Sequence, residues 1–375
     1  MNVLQISKFY QPVMGGIETV AWELTEGLNR AGLKTDVLCS NHATQTSRER
    51  FPGGYEVVRA ASMGMMLSTS MAPAMVRELC LQVRGRDILH VHMPDPMAAL
   101  ALWAVRPRSQ VVVHWHSDVI RQRQAMKLYA PLQRWLLQRA SAIITTSQAY
   151  AESSETLQPW RDKVSVIPIG ISDKSAQAHP LKVADIRRQY GNRRIVFSLG
   201  RMTYYKGFEV LIRAAAGLPD DCVVLIGGDG DLLPHYRAMV SELGLNHKVR
   251  LLGHVNDGDL PSYFEACDVF CMTSTVRAEA YGVTLVEAMV MGKPIVATDI
   301  AGSGVPWVNR HGVTGFNMPV GQPGPLAEAL RALLDDPALC RSLGRAGRQR
   351  YLQEFNADSM TRKTLDLYSR LQPVT

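Results

Sequence analysis

Along this chain, apolar runs of four to seven residues alternate with longer segments in which apolar positions recur every three or four residues. The short runs read as strands and the longer segments as helices, an alternation that predicts parallel sheets covered by helices. Two such series are present. The first places strands at 3–6, 34–39, 57–60, 88–92, 110–114, 142–145 and 164–168, with a helical pattern over 17–30. A polar stretch over 173–181 reads as a linker, and a second series follows at 194–199, 223–227, 249–252, 269–272, 294–297 and 315–318. An α/β chain with two Rossmann-like domains facing a central cleft is expected, over 1–174 and 182–354, with ligands beyond the carboxyl ends of the strands. Length agrees, since 375 residues exceed the roughly 250–300 at which one core stops growing. The tail over 357–371 has a helical pattern, and no short repeat or low-complexity tract interrupts the chain.

Glu279 and Glu287 bracket the segment Glu-Ala-Tyr-Gly-Val-Thr-Leu-Val-Glu. On one continuous helix these carboxylates would lie about 12 Å apart, too far to share a metal or to act as an acid/base pair across one bond. Gly282 makes a loop-to-helix break the better reading, with a helix starting near Val283 or Thr284 and Glu287 one turn inside it. Free amides at Gly282, Val283 and Thr284 then sit between the two acids, where a diphosphate is favoured. The alternative is two solvated glutamates flanking an amphipathic helix.

Other residues fit the same ligand. Arg201 and Lys206 follow the first strand of the second series and suit a role in neutralising a leaving diphosphate; the alternative is a solvated loop with a chance pair of charges. Gly15-Gly16, between the first strand and the first helix, lets backbone approach a ligand, although without a G-x-G-x-x-G pattern it reads equally as a turn. His116 ends a strand and is suited to bonding a sugar hydroxyl. His114 shares its face, but no third ligand is evident nearby and zinc is not expected. Asp229-Gly-Asp231 invites a metal reading; the preferred one makes Asp231 the N-cap of the following helix.

Five ordered motifs resemble those of retaining glycosyltransferases of family 4. They are Lys-Phe-Tyr-Gln-Pro-Val-Met-Gly-Gly-Ile-Glu at 8–18, His-Trp-His-Ser-Asp at 114–118, Ile-Pro-Ile-Gly-Ile at 167–171, Gly-Arg-Met-Thr-Tyr-Tyr-Lys-Gly at 200–207, and the glutamate pair. The resemblance implies the GT-B fold, with a last helix over 355–375 crossing back to the first domain. It implies retaining transfer of a hexose from a UDP- or GDP-sugar, without metal or other cofactor. Glu279 and His116 then contact the transferred sugar, Glu287 the ribose, Arg201 and Lys206 the diphosphate, and Gly15-Gly16 faces phosphate or acceptor. The implied acceptor is a hydroxyl of a lipid-linked glycan in bacterial lipopolysaccharide or capsule assembly. Two alternatives share the architecture: a nonhydrolysing nucleotide-sugar epimerase, and a noncatalytic membrane-associated nucleotide binder.

Composition narrows the setting. No apolar run approaches the ~18 residues of a transmembrane helix, and no charged leader precedes the first strand, so a cytoplasmic protein is expected, at most peripheral at the inner face of the plasma membrane. Six cysteines without a C-x-x-C pair read as buried free thiols. The formal net charge is +7, and residues 106–139 carry seven of the basic residues against the single acid Asp118. The amphipathic stretch 121–139 within it fits an anionic membrane surface, or equally a helix packed on its sheet with a basic rim. Nucleic acid is not an expected partner, because no recognisable module or long basic run is present.

Overall fold

A computed structural model describes residues 1–13, 15–66, 69–119 and 123–371. The chain divides into two compact units, Met1–Ile171 with Asn356–Thr375, and Ser172–Phe355. The first crossing thus comes three residues before the expected boundary at 174. The segment read as a linker carries a 3-10 turn, Ser175–Gln177, and the start of a helix at Pro180.

In unit 1 the strands are β1 (Asn2–Ser7), β2 (Lys34–Ser40), β3 (Ser47–Arg50), β4 (Glu56–Ala60), β5 (Met65–Met66), β6 (Thr69–Ser70), β7 (Ile88–Met93), β8 (Gln110–Trp115), β9 (Ala142–Thr145) and β10 (Val164–Val166). Eight of them form one sheet in the order β10-β9-β8-β7-β1-β2-β4-β3, all parallel except the β3–β4 edge pair. Strand β3 escapes the hydrophobic pattern because its Ser-Arg-Glu-Arg is exposed throughout. The antiparallel β5–β6 pair is likewise too short to leave a periodic signal. The first helix, Gly16–Arg30, begins one residue earlier than expected.

The last helix, Ala357–Arg370, belongs to unit 1 and packs against Gly16–Arg30. Its entry is set by close backbone approach. Ile171 bridges Asn356, and a Cβ on Gly170 would lie 2.2 Å from the Asn356 carbonyl oxygen, so only glycine fits there. Residues 372–375 of the expected helix lie outside the described residues.

Unit 2 contains β11 (Arg194–Leu199), β12 (Cys222–Gly227), β13 (Val249–Gly253), β14 (Val269–Met272), β15 (Ile295–Thr298) and β16 (Gly315–Met318), in a parallel sheet ordered β13-β12-β11-β14-β15-β16. The four inner strands, β12, β11, β14 and β15, are largely apolar and buried because helices cover both faces of the sheet. Phe208, Leu211, Ile226, Tyr236, Leu330 and Leu333 belong to its buried core. The order reverses between β11 and β14, so the loops that follow these two strands flank the switch point of the sheet, where doubly wound folds hold ligands.

Two smaller expectations are corrected. The helix after the Gly-rich turn starts at Leu233 with Leu232 at its cap and no side-chain bond there, so Asp231 is not its N-cap. Gly228 and Gly230, both at positive φ, carry the chain through the turn first, and the Gly230 amide donates to Asp229 Oδ1 at 2.7 Å. All six cysteines are free as expected, yet Cys80 is exposed and Cys340 only half-buried.

Candidate functional site

In unit 2 the loops after β11 and β14 are laced together by their own backbones. The Thr275 amide donates to the Tyr205 carbonyl at 2.8 Å, and Thr273 Oγ1 donates to the Lys206 carbonyl at 3.0 Å. Gly207 joins them at positive φ, and a Cβ there would lie 2.2 Å from the Thr273 carbonyl oxygen. This lacing brings Lys206 and Glu279, 73 residues apart, into a pair 2.5 Å long with both side chains 11% exposed. Ser274 Oγ donates to the same Glu279 oxygen at 2.9 Å, and Ser303 Oγ donates to the Glu279 carbonyl. Burial, the largest single influence, lowers the Lys206 pKa; the Glu279 charge, the neighbouring Tyr205 and the hydrogen bond to Glu279 together outweigh it and hold the ammonium above the usual lysine range.

Behind this pair, Gly282 sits at φ +83° and the helix Val283–Val290 begins as expected. The Val283 and Thr284 amides open that helix with no preceding turn to accept them. Glu287 lies in its second turn, and although part of the residue reaches the surface, burial of its carboxyl pushes the pKa up to about 7. Arg201 is exposed on the β11 loop, close enough to Lys206 to oppose its charge. Unit 2 therefore assembles cations, amides and two carboxyl groups of different character around one sheet switch point. Such a set suits a phosphorylated, hydroxylated ligand.

In unit 1, Gly15 is the extended N-cap of Gly16–Arg30, both glycines are exposed, and a Cβ on Gly15 would strike the Glu18 carboxylate at 2.4 Å. Met14 of this motif lies outside the described residues. His116 directly follows β8 and is 6% exposed. The expectation that no third histidine lies near His114 and His116 is corrected. Parallel pairing of β7 with β8 sets His92 opposite His114, and the two-residue period of a strand puts His90, His92, His114 and His116 on one face.

All four rings are buried, and burial lowers every pKa, that of His114 to about 3. His90, His92 and His114 each bring one ring nitrogen to within 4.8 Å of the others. These nitrogens are largely spent on protein partners: His90 on His114 at 3.1 Å and on Tyr368 at 2.6 Å, His92 on His116 at 2.9 Å and on Gln5 at 2.7 Å. The cluster is thereby a hydrogen-bonded ladder of neutral imidazoles. Its sequence signal was present: His-x-His occurs in two adjacent strands.

Sequence reasoning also missed Asp95. Its Oδ1 accepts from the Met97 and Ala98 amides at 3.1 and 3.3 Å, capping Pro96–Val105, while Oδ2 has no partner among the described residues. Burial pushes this carboxyl up to about 6.

Comparison with known proteins agrees with both units. A family model described as "Glycosyl transferases group 1" matches residues 183–350, and one described as "Glycosyl transferase 4-like domain" matches 15–170. The chain is 32% identical to O-antigen chain mannosyltransferase C of Escherichia coli, covering 99% of each chain. It is also 32% identical to D-rhamnosyltransferase WbpZ of Pseudomonas aeruginosa, over 95% of this chain and 93% of that one. Among solved structures, HepE from Anabaena with UDP and glucose superposes with a TM-score of 0.81 at 21% identity, covering 98% of this chain and 99% of that chain. The fold is thus shared with proteins of low sequence identity. This chain belongs to the group 1, family 4-type glycosyltransferases and has the GT-B fold.

Proposed function

We propose that the protein is a retaining hexosyltransferase that takes its sugar from a nucleoside diphosphate, UDP or GDP, and builds a bacterial surface glycan. The observation that carries this reading is the Lys206–Glu279 pair beside the open amides of Val283 and Thr284. Similarity over nearly the full length to O-antigen mannosyl- and rhamnosyltransferases supports the surface-glycan acceptor. Solved GT-B structures that hold UDP and UDP-glucose support a nucleotide-sugar donor.

In this reading the anomeric carbon–oxygen bond to phosphate breaks while the acceptor oxygen bonds to the same face of that carbon. The acceptor's proton passes to an oxygen of the departing phosphate. Arg201, Lys206 and the Gly282–Thr284 amides bear the charge on that phosphate, Glu279 and His116 hold the sugar, and Glu287 takes the ribose. No step requires a metal. Glu287→Ala is expected to weaken nucleotide binding about tenfold or more, the worth of a hydrogen bond to a charged or strongly polar group. Thermal shift with UDP, GDP and their common sugars identifies the donor, since bound ligand stabilises in proportion to the logarithm of its saturation. Transfer from that donor should survive exhaustive EDTA treatment; strict dependence on added manganese or magnesium would return Asp229 and Asp231 to consideration.

The acceptor is proposed to be lipid-linked, met at an anionic membrane surface by unit 1. Among the described residues no helix is long and apolar enough to cross a membrane. The basic helix Arg123–Arg139 buries Leu136 and Leu137, while Lys127, Leu128 and Arg134 are exposed, Leu128 at 88%. Residues 121 and 122 of the expected surface lie outside the described residues. On the neighbouring helix Pro96–Val105, Leu100 and Trp103 are also exposed, with Arg106 5.8 Å from the Trp103 ring. Each basic residue near an anionic surface contributes about 1 kcal/mol, so changing Arg121, Arg123 and Lys127 together to Gln should weaken vesicle binding strongly, and salt should do the same. Equal sedimentation with anionic and neutral vesicles would leave the helix a purely structural element.

A further inference from the structure

The histidine ladder of unit 1 has a direction. With the Gln5 amide turned so that Oε1 stands 2.7 Å from His92 Nε2, and its own Nε2 without a partner among the described residues, the carbonyl oxygen accepts and His92 carries its proton on Nε2. His92 Nδ1 is then bare and accepts, at 2.9 Å, from His116 Nε2–H. A neutral imidazole has one ring proton, so His116 Nδ1 is left with a lone pair. Moving that proton to Nδ1 would set two bare nitrogens face to face across 2.9 Å. If His92 moved its proton as well, its bare Nε2 would confront the Gln5 oxygen at 2.7 Å instead. Either arrangement strands acceptors in a buried layer, where an unmatched polar pair is most costly.

The rings are also held in place. His116 stacks on His114 with centroids 4.2 Å apart and planes 17° from parallel, and on His92 at 5.2 Å and 11°. His114 is held through its Nδ1 by His90, which is held by Tyr368 of the last helix. Gln5, His90, His92 and His114 are each 1% exposed or less.

We propose that Gln5 and His92 are positioning residues that fix His116 as the Nε2–H tautomer, so that its Nδ1 accepts a hydrogen bond from a hydroxyl of the donor sugar. The proposal rests on the reading that His116 meets that sugar. It selects among donors: a sugar bearing a hydroxyl at this position is bound as a proton donor to His116, and its deoxy counterpart loses the bond.

Long-range proton–nitrogen correlation spectra of the 15N-histidine-labelled full-length protein read the tautomers directly, without substrate. We expect His116 to have a protonated Nε2 and a bare Nδ1. Gln5→Leu should mix the two tautomers and lower kcat about tenfold, the usual scale for losing the partner that orients a functional histidine, with little change in KM for the nucleotide donor. Gln5→Glu, whose carboxylate when ionised presents acceptors only, should keep the tautomer and recover most of the rate. In a His116→Ala background Gln5→Leu should cost nothing further, because it acts through His116.

A His116 proton on Nδ1 in the unmodified protein overturns the proposal. So does a Gln5→Leu variant with unchanged nitrogen shifts and kcat, or a Gln5→Leu loss that persists in full when His116 is absent. Full turnover by His116→Ala with the expected tautomer shifts would instead refute the sugar-contact reading of His116 while leaving its tautomer control standing.

Discussion

Glu279→Ala is expected to lower kcat by about a hundredfold or more while the dissociation constant of the nucleoside diphosphate changes little. Two physical effects point the same way. The carboxylate is proposed to hold the transferred sugar, so its loss is felt where charge develops at the anomeric carbon. The same carboxylate neutralises Lys206 across 2.5 Å, and removing it frees a buried ammonium to pair with phosphate. Nucleotide affinity is therefore preserved or improved as turnover collapses. Glu279→Gln should lie between, since an amide oxygen still accepts from Ser274 but carries no charge. Isothermal titration with the nucleoside diphosphate beside single-turnover kinetics separates the two effects. Parallel loss of affinity and turnover would move Glu279 to the phosphate or ribose end of the ligand.

A second large effect is expected in acid. His90, His92 and His116 are held neutral well below the ordinary histidine pKa of 6.5, and His114 down to about 3, because burial disfavours the imidazolium. Unfolded, all four rings charge as the pH falls through 6.5, so below it the unfolded chain binds more protons and stability declines. Each ring that stays neutral costs about 1.4 kcal/mol per pH unit below that point. Asp95 works in the opposite sense. Its folded pKa is raised to about 6, so it favours the folded state progressively as the pH drops from about 6 toward 4.

Four imidazoles outweigh one carboxyl, and unit 1 should lose several kcal/mol between pH 7.5 and 5.5, a midpoint drop of roughly 10 °C. Glu287, raised to about 7, gives unit 2 the reverse trend over the same range. Calorimetry across this interval should therefore separate two transitions. Midpoints that stay flat, or a unit 1 transition that rises in acid, would mean the ladder is charged or hydrated in the folded protein.

The parts of the site that were legible in the sequence are those written in consecutive residues. The Glu279-to-Glu287 segment announces its own break, because Gly282 admits a positive φ and the apolar spacing of the residues after it suits a helix with one buried face. Hydrophobic periodicity likewise marked the buried parallel strands, whose residues are apolar for a local reason. It was silent about β3, an exposed polar edge strand that exists only by pairing with β4. The N-cap expected at Asp231 failed because two positive-φ glycines delay the helix to Leu233, a geometry that residue preference alone does not encode.

By itself the sequence determined two α/β units, the succession of their buried strands along the chain, the identity of the family and the residue types in the loops that flank the switch point of the second sheet. Only the tertiary structure decided which of those residues touch. Lys206 and Glu279 are 73 positions apart and meet because the strands that precede their loops, β11 and β14, are neighbours at the switch point, an outcome of long-range strand pairing that no local pattern carries. His92 reaches His116 for the same reason, through the parallel register of β7 with β8, and Tyr368 closes the ladder from the far end of the chain. Local physics sets which side chains each segment offers. The burial of the sheets sets which of them share a proton or a charge.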